Sequence, residues 1–340
     1  MEAVERGWLP DPFIRYGIRR LLRQKLDLER HGGPTAMAGR RAGLLRSMEE
    51  APLALHAEDA NRQHYELPPE FFQIVLGPRL KYSCAWWEPG TADLGHAEAD
   101  MLALTAKRAR LADGQRILEL GCGWGSLTLW MAEHLPNAQI LAVSNSAAQR
   151  QFILNRAAER GYTQVEVVTA DMNDFALTQR FDRVVSVEMF EHMRNWALLL
   201  ERITSWLAPE GELFVHHFCH RDLLYFYELD GRDDWMARHF FTGGMMPALD
   251  LLGSLEGLLR VEEQWAVNGV HYEKTCRAWL TRQDACRDRI LPLFEAVYGR
   301  DAARWFERWR LFFLACAELF AYAGGTEWLV GHYRLISRGE

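Results

Sequence analysis

Glu188, Glu191 and His192 stand in the run Ser186-Val187-Glu188-Met189-Phe190-Glu191-His192. In a helical turn their i, i+3 and i+4 spacing would gather two carboxylates and an imidazole on one face. Groups that close shift one another's pKa and can provide a base near neutral pH. A second run, Glu119-Leu120-Gly121-Cys122-Gly123-Trp124-Gly125, sets a carboxylate two positions before three alternating glycines. It follows a strand pattern and opens a helical one, so its backbone can approach a ligand at a helix N-terminus. The spacing is GxGxG rather than GxGxxG, and Glu119 is badly placed for a pyrophosphate but well placed for a cation. His216, His217, Cys219 and His220 are metal-ligand types. On a strand, however, His216 and His220 point one way and His217 and Cys219 the other, which splits a four-ligand set, and no metal is expected.

The elements that must position these groups alternate along the chain. Strands are predicted at Arg116 to Leu120, Gln139 to Val143, Val165 to Thr169, Asp182 to Val187 and Glu212 to His217. Helices are predicted at Ser126 to His134, Ala147 to Arg160 and Ala197 to Leu207. Short apolar strands separated by amphipathic helices imply an α/β fold with a doubly wound, mostly parallel sheet. A helix from Ala302 to Ala323 and a strand from Glu327 to Ile336 would complete it, with a β-like run at Val261 to Val267 before them. Upstream, Asp11 to Arg30 has helical apolar spacing with Arg15, Arg19, Arg20, Arg23 and Lys25 on the remaining surface, closed by Gly32, Gly33 and Pro34. Packing of this basic helix on the protein's own core is favoured over an anionic membrane. A further helical pattern from Thr91 to Ala112 ends at the turn signal Asp113-Gly114. The chain thus divides into a helical N-terminal region, 1–110, and a core, 111–340. An insertion at about 221–260, containing DGRDDW and HFFTGGMMP, would form a lid over the strand ends after strand five. Its Trp235, Phe240 and Phe241 are candidates either to cap a cation or to plug the domain edge.

The 340 residues carry 39 Lys and Arg against 46 Asp and Glu, a net charge of −7. That excludes a nucleic-acid binder held by bulk electrostatics. Thirteen Trp leave rings free to line a pocket. The six cysteines include no CxxC pair and follow no secretory signal, so reduced thiols and a cytoplasmic location are expected. No apolar run reaches the length of a membrane span.

The E-x-GxGxG loop resembles motif I of S-adenosylmethionine-dependent methyltransferases, whose ligand carries a sulfonium and an ammonium and no phosphate. The resemblance implies a Rossmann-like class I fold and S-adenosylmethionine as cofactor, met by Glu119, Gly121, Gly123 and Gly125. Ser144 and Asn145 at the end of strand two would meet ribose hydroxyls, and Asp171 and Met172 at the end of strand three would meet adenine. Tyr82, Ser83 and Gln149 are expected to join the cofactor set. No (N/D)PP(Y/F) tetrapeptide of base-modifying methyltransferases occurs, and Leu67-Pro68-Pro69-Glu70 lacks both its acid or amide and its aromatic residue.

Further stretches resemble plant coclaurine-type N-methyltransferases, within the wider cyclopropane-fatty-acid synthase family: HYELPPEFF (64–72), YSCAWW (82–87), EMFEHM (188–193), FVHHFCH (214–220), NGVHYEKT (268–275), FFLACAELF (312–320) and GGTEWLVGHY (324–333). The N-methyltransferase branch implies that Glu188, Glu191 and His192 surround a small-molecule amine. The synthase branch implies a bicarbonate ion held by Cys84, Glu191, His217 (or neighbouring His216) and Tyr272, an acyl-chain acceptor and peripheral membrane contact. Synthases usually have Gly where this chain has Glu188. An additional carboxylate suits an acceptor that arrives as an ammonium, so the amine is favoured.

Overall fold

The computed structural model describes residues 1–55, 67–228 and 235–338. Positions 64–66 of HYELPPEFF and 230–234 of DGRDDW lie outside the described residues.

Strands β1 (Arg116–Leu120), β2 (Gln139–Ser144), β3 (Val165–Thr169), β4 (Phe181–Val187) and β5 (Leu207–His220) pair in parallel in the order β3-β2-β1-β4-β5. Helices α5 (Ser126–His134), α6 (Ala147–Glu159) and α7 (Trp196–Trp206) stand between them in the chain. Central strands covered on both faces need continuous apolar runs, and Ile117, Leu118, Leu120, Val184 and Val185 are fully enclosed. Strand β9 (Trp328–Ser337) runs antiparallel between β5 and β8 (Leu259–Val267), which completes a seven-stranded sheet among the described residues. The order turns at β1 and β4, where open α/β sheets leave a crevice beyond the strand ends. The glycine loop leaves β1 there and the Glu188 run leaves β4, from positions registered Leu120 to Ser186.

The N-terminal region is helical, with α1 (Asp11–Glu29), α2 (Gly33–Glu50), α3 (Pro69–Val75) and α4 (Leu94–Arg108). Asp93 caps α4 by accepting a hydrogen bond from the His96 backbone N–H at 3.0 Å. The basic helix α1 buries Ile14 and Leu26, and its Arg15 and Arg19 both donate to the enclosed Glu318 carboxylate. Glu318 belongs to α11 (Ala302–Ala321), so α1 packs on the protein itself, while Phe13, Tyr16, Leu21 and Leu28 stay exposed.

Helices α2, α3, α9 and α10 depart from the sequence expectation, α3 among them having no predicted counterpart. The Gly-Gly-Pro taken as a terminator of α1 also starts α2, with Pro34 in the first turn where its missing N–H matters least. Helices α9 (Val270–Ala285) and α10 (Arg287–Tyr298) had no predicted counterpart. The inward positions of α9 are Tyr272, Thr275, Cys276, Trp279, Leu280 and Gln283, at helical spacing but with Thr and Gln interrupting the apolar stripe. The inserted segment forms a short hairpin, β6 (Tyr225–Phe226) with β7 (Met245–Met246), and a short helix α8 (Trp235–His239) between them.

Candidate active site

The loop after β1 turns sharply enough that Gly121 and Gly125 sit at φ +79° and +80°. A Cβ on Gly121 would lie 2.7 Å from Met189 Cβ, and one on Gly125 2.6 Å from Ile153, so both strain and space require glycine. Gly121 and Cys122 donate their backbone N–H groups to Val143 O, which ties the loop to β2. Glu119 is buried at its base. Burial pushes its carboxyl up to about 8, partly offset by the Thr128 hydroxyl, which donates to Oε2 at 2.5 Å.

Two adjoining clefts meet at this loop. One, of about 800 Å³, is lined by Gly121, Gly123, Ser144, Asn145, Gln149, Asp171, Met172, Glu188 and His192, with Leu55 and Ala54 above. The other, of about 590 Å³, is lined by Lys81, Tyr82, Ser83, Glu119, Gly121, Gly123 and Glu188. Asp171 is exposed at the mouth and accepts from the Asn173 N–H, whereas Ser144 is enclosed and donates its hydroxyl to Gln149 Oε1 at 2.7 Å. Tyr82 packs against Phe72 and Trp279, and Ser83 Oγ accepts from the Lys81 ammonium. Gln149 Nε2, Ser126 Oγ and Trp124 Nε1 are buried with no hydrogen-bond partner among the described residues. Orphaned donors beside a buried acid whose hydrogen-bond partner is a neutral hydroxyl mark a cradle built for a polar ligand with a cationic end.

Glu188 does not lie in a helical turn with Glu191 and His192, contrary to the sequence expectation. The 3-10 turn covers only Phe190–His192, and Glu188 precedes it in the left-handed region at φ 49°. That conformation costs a non-glycine residue roughly 1–2 kcal/mol, and it aims the carboxylate inward. Glu188 Oε1 accepts from the Cys84 backbone N–H at 3.0 Å and lies 3.2 Å from His216 Nε2, and Oε2 accepts from the Tyr272 hydroxyl at 2.5 Å. Burial raises the Glu188 carboxyl, and the nearby Lys81 ammonium works against that rise. Glu191 is completely enclosed behind it. Its Oε1 accepts from the Phe218 N–H at 2.8 Å and its Oε2 has no partner among the described residues. Burial and the Glu188 charge hold the Glu191 carboxyl well above the usual range. His192 lies at the cleft with its ring 4.8 Å from Phe241, edge to face.

The other predicted residues divide. His216, not His217, reaches Glu188, because strand alternation sends His217 to the opposite face, where it stacks on Tyr333 at 4.8 Å. Burial brings His217 down to about 4. Cys84 acts through its backbone N–H, while its thiol donates to Ala85 O and is pushed up by burial. Tyr272 also stacks on Phe320 at 4.4 Å. Of the insertion aromatics, Phe240 is enclosed on Phe312 and Trp309, and Trp235 donates to Glu5. These two plug the edge. Phe241 alone of the three turns to the site, between His192, Phe218 and Tyr227. Lys81, which no sequence pattern singles out, is fully enclosed, and burial lowers its ammonium pKa against the pull of Glu188.

A glycine cradle with a buried acid at one strand end, and carboxylates with an imidazole at the next, define a class I methyltransferase that uses S-adenosylmethionine. The described donors fit that cofactor. The chain belongs to the family described as mycolic acid cyclopropane synthetase, whose model matches residues 54–325, and within it resembles the coclaurine N-methyltransferases. It is 34% identical to (S)-coclaurine N-methyltransferase of Thalictrum flavum subsp. glaucum over 98% of this chain and 93% of that one. It is 28% identical to the Escherichia coli cyclopropane-fatty-acyl-phospholipid synthase, over 99% and 83%. Among solved structures, coclaurine N-methyltransferase bound to N-methylheliamine and S-adenosylhomocysteine superposes with a TM-score of 0.94 at 34% identity, covering 98% and 97%. The cyclopropane synthase MmaA2 of Mycobacterium tuberculosis shares the fold, with a TM-score of 0.71 at 22% identity, covering 84% of this chain and all of that one. Among the described residues no helix is long and apolar enough to cross a membrane.

Proposed function

We propose that this methyltransferase acts on the nitrogen of a small-molecule amine, secondary or tertiary and of benzylisoquinoline type. The observation that carries the reading is Glu188, a carboxylate held in a left-handed conformation at the junction of the two clefts. Names of relatives add weight: the similar Thalictrum and Papaver somniferum chains are coclaurine N-methyltransferases. When bound, S-adenosylmethionine supplies an electrophilic methyl group on a sulfonium. Glu119 would hold its ammonium, Ser144, Asn145 and Gln149 would meet the ribose, and Asp171 and Met172 the adenine. Glu188 orients the acceptor as an ammonium, with Glu191 enclosed behind it and tied to the Phe218 N–H. His192, at the cleft wall, takes the proton that must leave before nitrogen can form its new bond. Phe241 and Phe218 supply flat apolar walls that exclude water and suit an aromatic amine.

The cofactor's roof comes from the N-terminal region. Asn173 Oδ1 accepts from Ala54 N at 3.0 Å and its Nδ2 donates to Ala54 O at 3.3 Å, which clamps the segment carrying Leu55 over the cleft. Asn173→Ala is expected to raise the S-adenosylmethionine dissociation constant about tenfold in calorimetry, from two lost hydrogen bonds of about 1 kcal/mol or less each. An unchanged constant would show that the clamp does not bear on the cofactor.

Mass spectrometry tests the acceptor. The purified enzyme with S-adenosylmethionine is offered benzylisoquinoline-type amines in one reaction and unsaturated phospholipid vesicles in another. A gain of one methyl on an amine is expected. A gain of CH₂ on an acyl chain with the amines untouched would instead establish the synthase reading, with its bicarbonate and membrane contact. Against that reading, Cys84 N–H, His216 and Tyr272 converge here on Glu188 itself.

A further inference from the structure

Glu5 ends a single helical turn, Glu2–Glu5, ahead of α1, and it is buried although it carries a charge. Its carboxylate faces two elements at once. Oε2 accepts from Arg308 Nη2 at 3.1 Å and lies 3.7 Å from Arg304 Nε, both on α11. Oε1 accepts from the Trp235 indole N–H at 2.9 Å and lies 4.0 Å from His239 Nε2, and these are the first and last residues of α8. Burial works to raise this carboxyl, and the Arg308 and Trp235 hydrogen bonds outweigh it, so Glu5 stays ionised at neutral pH.

A helix of five residues does not hold itself together, because nucleation costs more than one turn returns. The place of α8 therefore depends on what fastens it. At its far end Phe240 is seated on Phe312 at 4.5 Å and Trp309 at 5.1 Å. At its near end the fastening is Trp235 on Glu5. The chain that leaves α8 is bonded back onto it: the Phe240 and Phe241 N–H groups both donate to Met236 O at 2.9 Å, and the Thr242 hydroxyl donates to Ala237 O at 2.6 Å. Phe241 then turns away from Phe240, its ring 4.8 Å from His192, 4.9 Å from Tyr227 and 5.6 Å from Phe218. Every link from Glu5 to this wall of the acceptor site is a hydrogen bond or a ring contact.

We propose that Glu5 is a positioning residue for the acceptor: by fastening Trp235 to Arg308 it fixes the corner from which Phe241 closes the amine site. The N-terminal turn thereby sets how tightly an aromatic acceptor is held. This rests on the proposed aromatic amine. A flat wall contacts the acceptor before and during methyl transfer alike, so its displacement raises KM more than it lowers kcat.

The test is a double-mutant cycle on the full chain with Glu5→Ala, Phe241→Ala and the pair, joined to amide hydrogen exchange. Glu5→Ala should raise the amine KM about five- to tenfold, with kcat within about threefold and S-adenosylmethionine affinity within about twofold. In the Phe241→Ala background the same change should add less than about twofold, since the wall it positions is gone. The Phe240 and Phe241 amides should exchange about tenfold faster in Glu5→Ala than in the wild type. Unmoved exchange at these amides in folded Glu5→Ala, or KM effects that multiply fully in the pair, overturns the proposal. Should Glu5→Ala fail to fold, Trp235→Phe decides: it keeps a ring against Phe240 and loses the N–H to Glu5, and an unmoved KM there overturns the proposal equally. A wild type that methylates no amine would defeat the proposed function, while the exchange rates would still report on the fastening.

Discussion

Glu188→Gln is expected to lower kcat/KM by about two to three orders of magnitude while leaving S-adenosylmethionine affinity within about threefold. The carboxylate accepts from Cys84 N–H and Tyr272 hydroxyl and faces His216 Nε2, so it is surrounded by donors. Glutamine has nearly the same shape but must turn an NH₂ group toward one of these donors, leaving a buried clash of hydrogens that costs about 1–3 kcal/mol. It also removes the negative charge from the point where the acceptor's positive charge must sit, and this second loss weakens binding and rate together. Single-turnover rates with a methylated amine, beside calorimetry of the cofactor, separate the effects. Retention of more than a tenth of wild-type kcat/KM would remove Glu188 from the acceptor site.

Cofactor binding should weaken by up to tenfold for each pH unit below about 8 and should release a proton. Glu119 sits at about 8 in the free protein because burial disfavours its charged form. An ammonium beside it reverses that preference, so the bound state holds Glu119 ionised. Above pH 8 both states are ionised and affinity is flat; below, free Glu119 is protonated and binding must expel that proton, so affinity falls as pH falls. Calorimetry in two buffers of different ionisation enthalpy counts the proton. Glu119→Gln should abolish the slope and lower affinity at pH 8.5 roughly a hundredfold, about 2–3 kcal/mol for a lost charge-assisted contact. A pH-independent affinity between 6 and 8.5 in the wild type would exclude Glu119 as the ammonium's partner.

The parts of the fold legible in the sequence are those whose burial leaves a one-dimensional trace. Strand β1 has the predicted boundaries because a strand covered on both faces is a short apolar run bounded by turn residues. Helices α9 and α10 left no such trace: α9 turns Thr275 and Gln283 inward, where Thr275 receives the Ala85 and Trp87 N–H groups and Gln283 donates to Phe306 O. Polar residues satisfied in this way look like surface until their partners, some 190 residues distant for Thr275, are known. In the site, the acidic residues and the glycine loop were visible as local patterns. Lys81 was not, since a lone basic residue reads as solvated until folding encloses it. The pair His216-His217 shows a finer limit: alternation says that the two rings part, but only the sheet register says which meets Glu188.

The place of β9 bears on how the protein is made. Residues 116–172, which supply the glycine loop and the strand ends of the cofactor cradle, are close in sequence and can assemble while translation continues. Strand β5, which carries His216 beside Glu188, is by contrast flanked by a strand from the end of the chain, β9, that fits between β5 and β8. On the ribosome that slot stays open until residues 328–337 have left the exit tunnel, some 120 residues after β5 begins. The nascent chain therefore gains a pocket for its methyl donor well before it gains a finished acceptor half, and a stall within that interval would leave the flanks of β5 and β8 exposed to other unpaired strands.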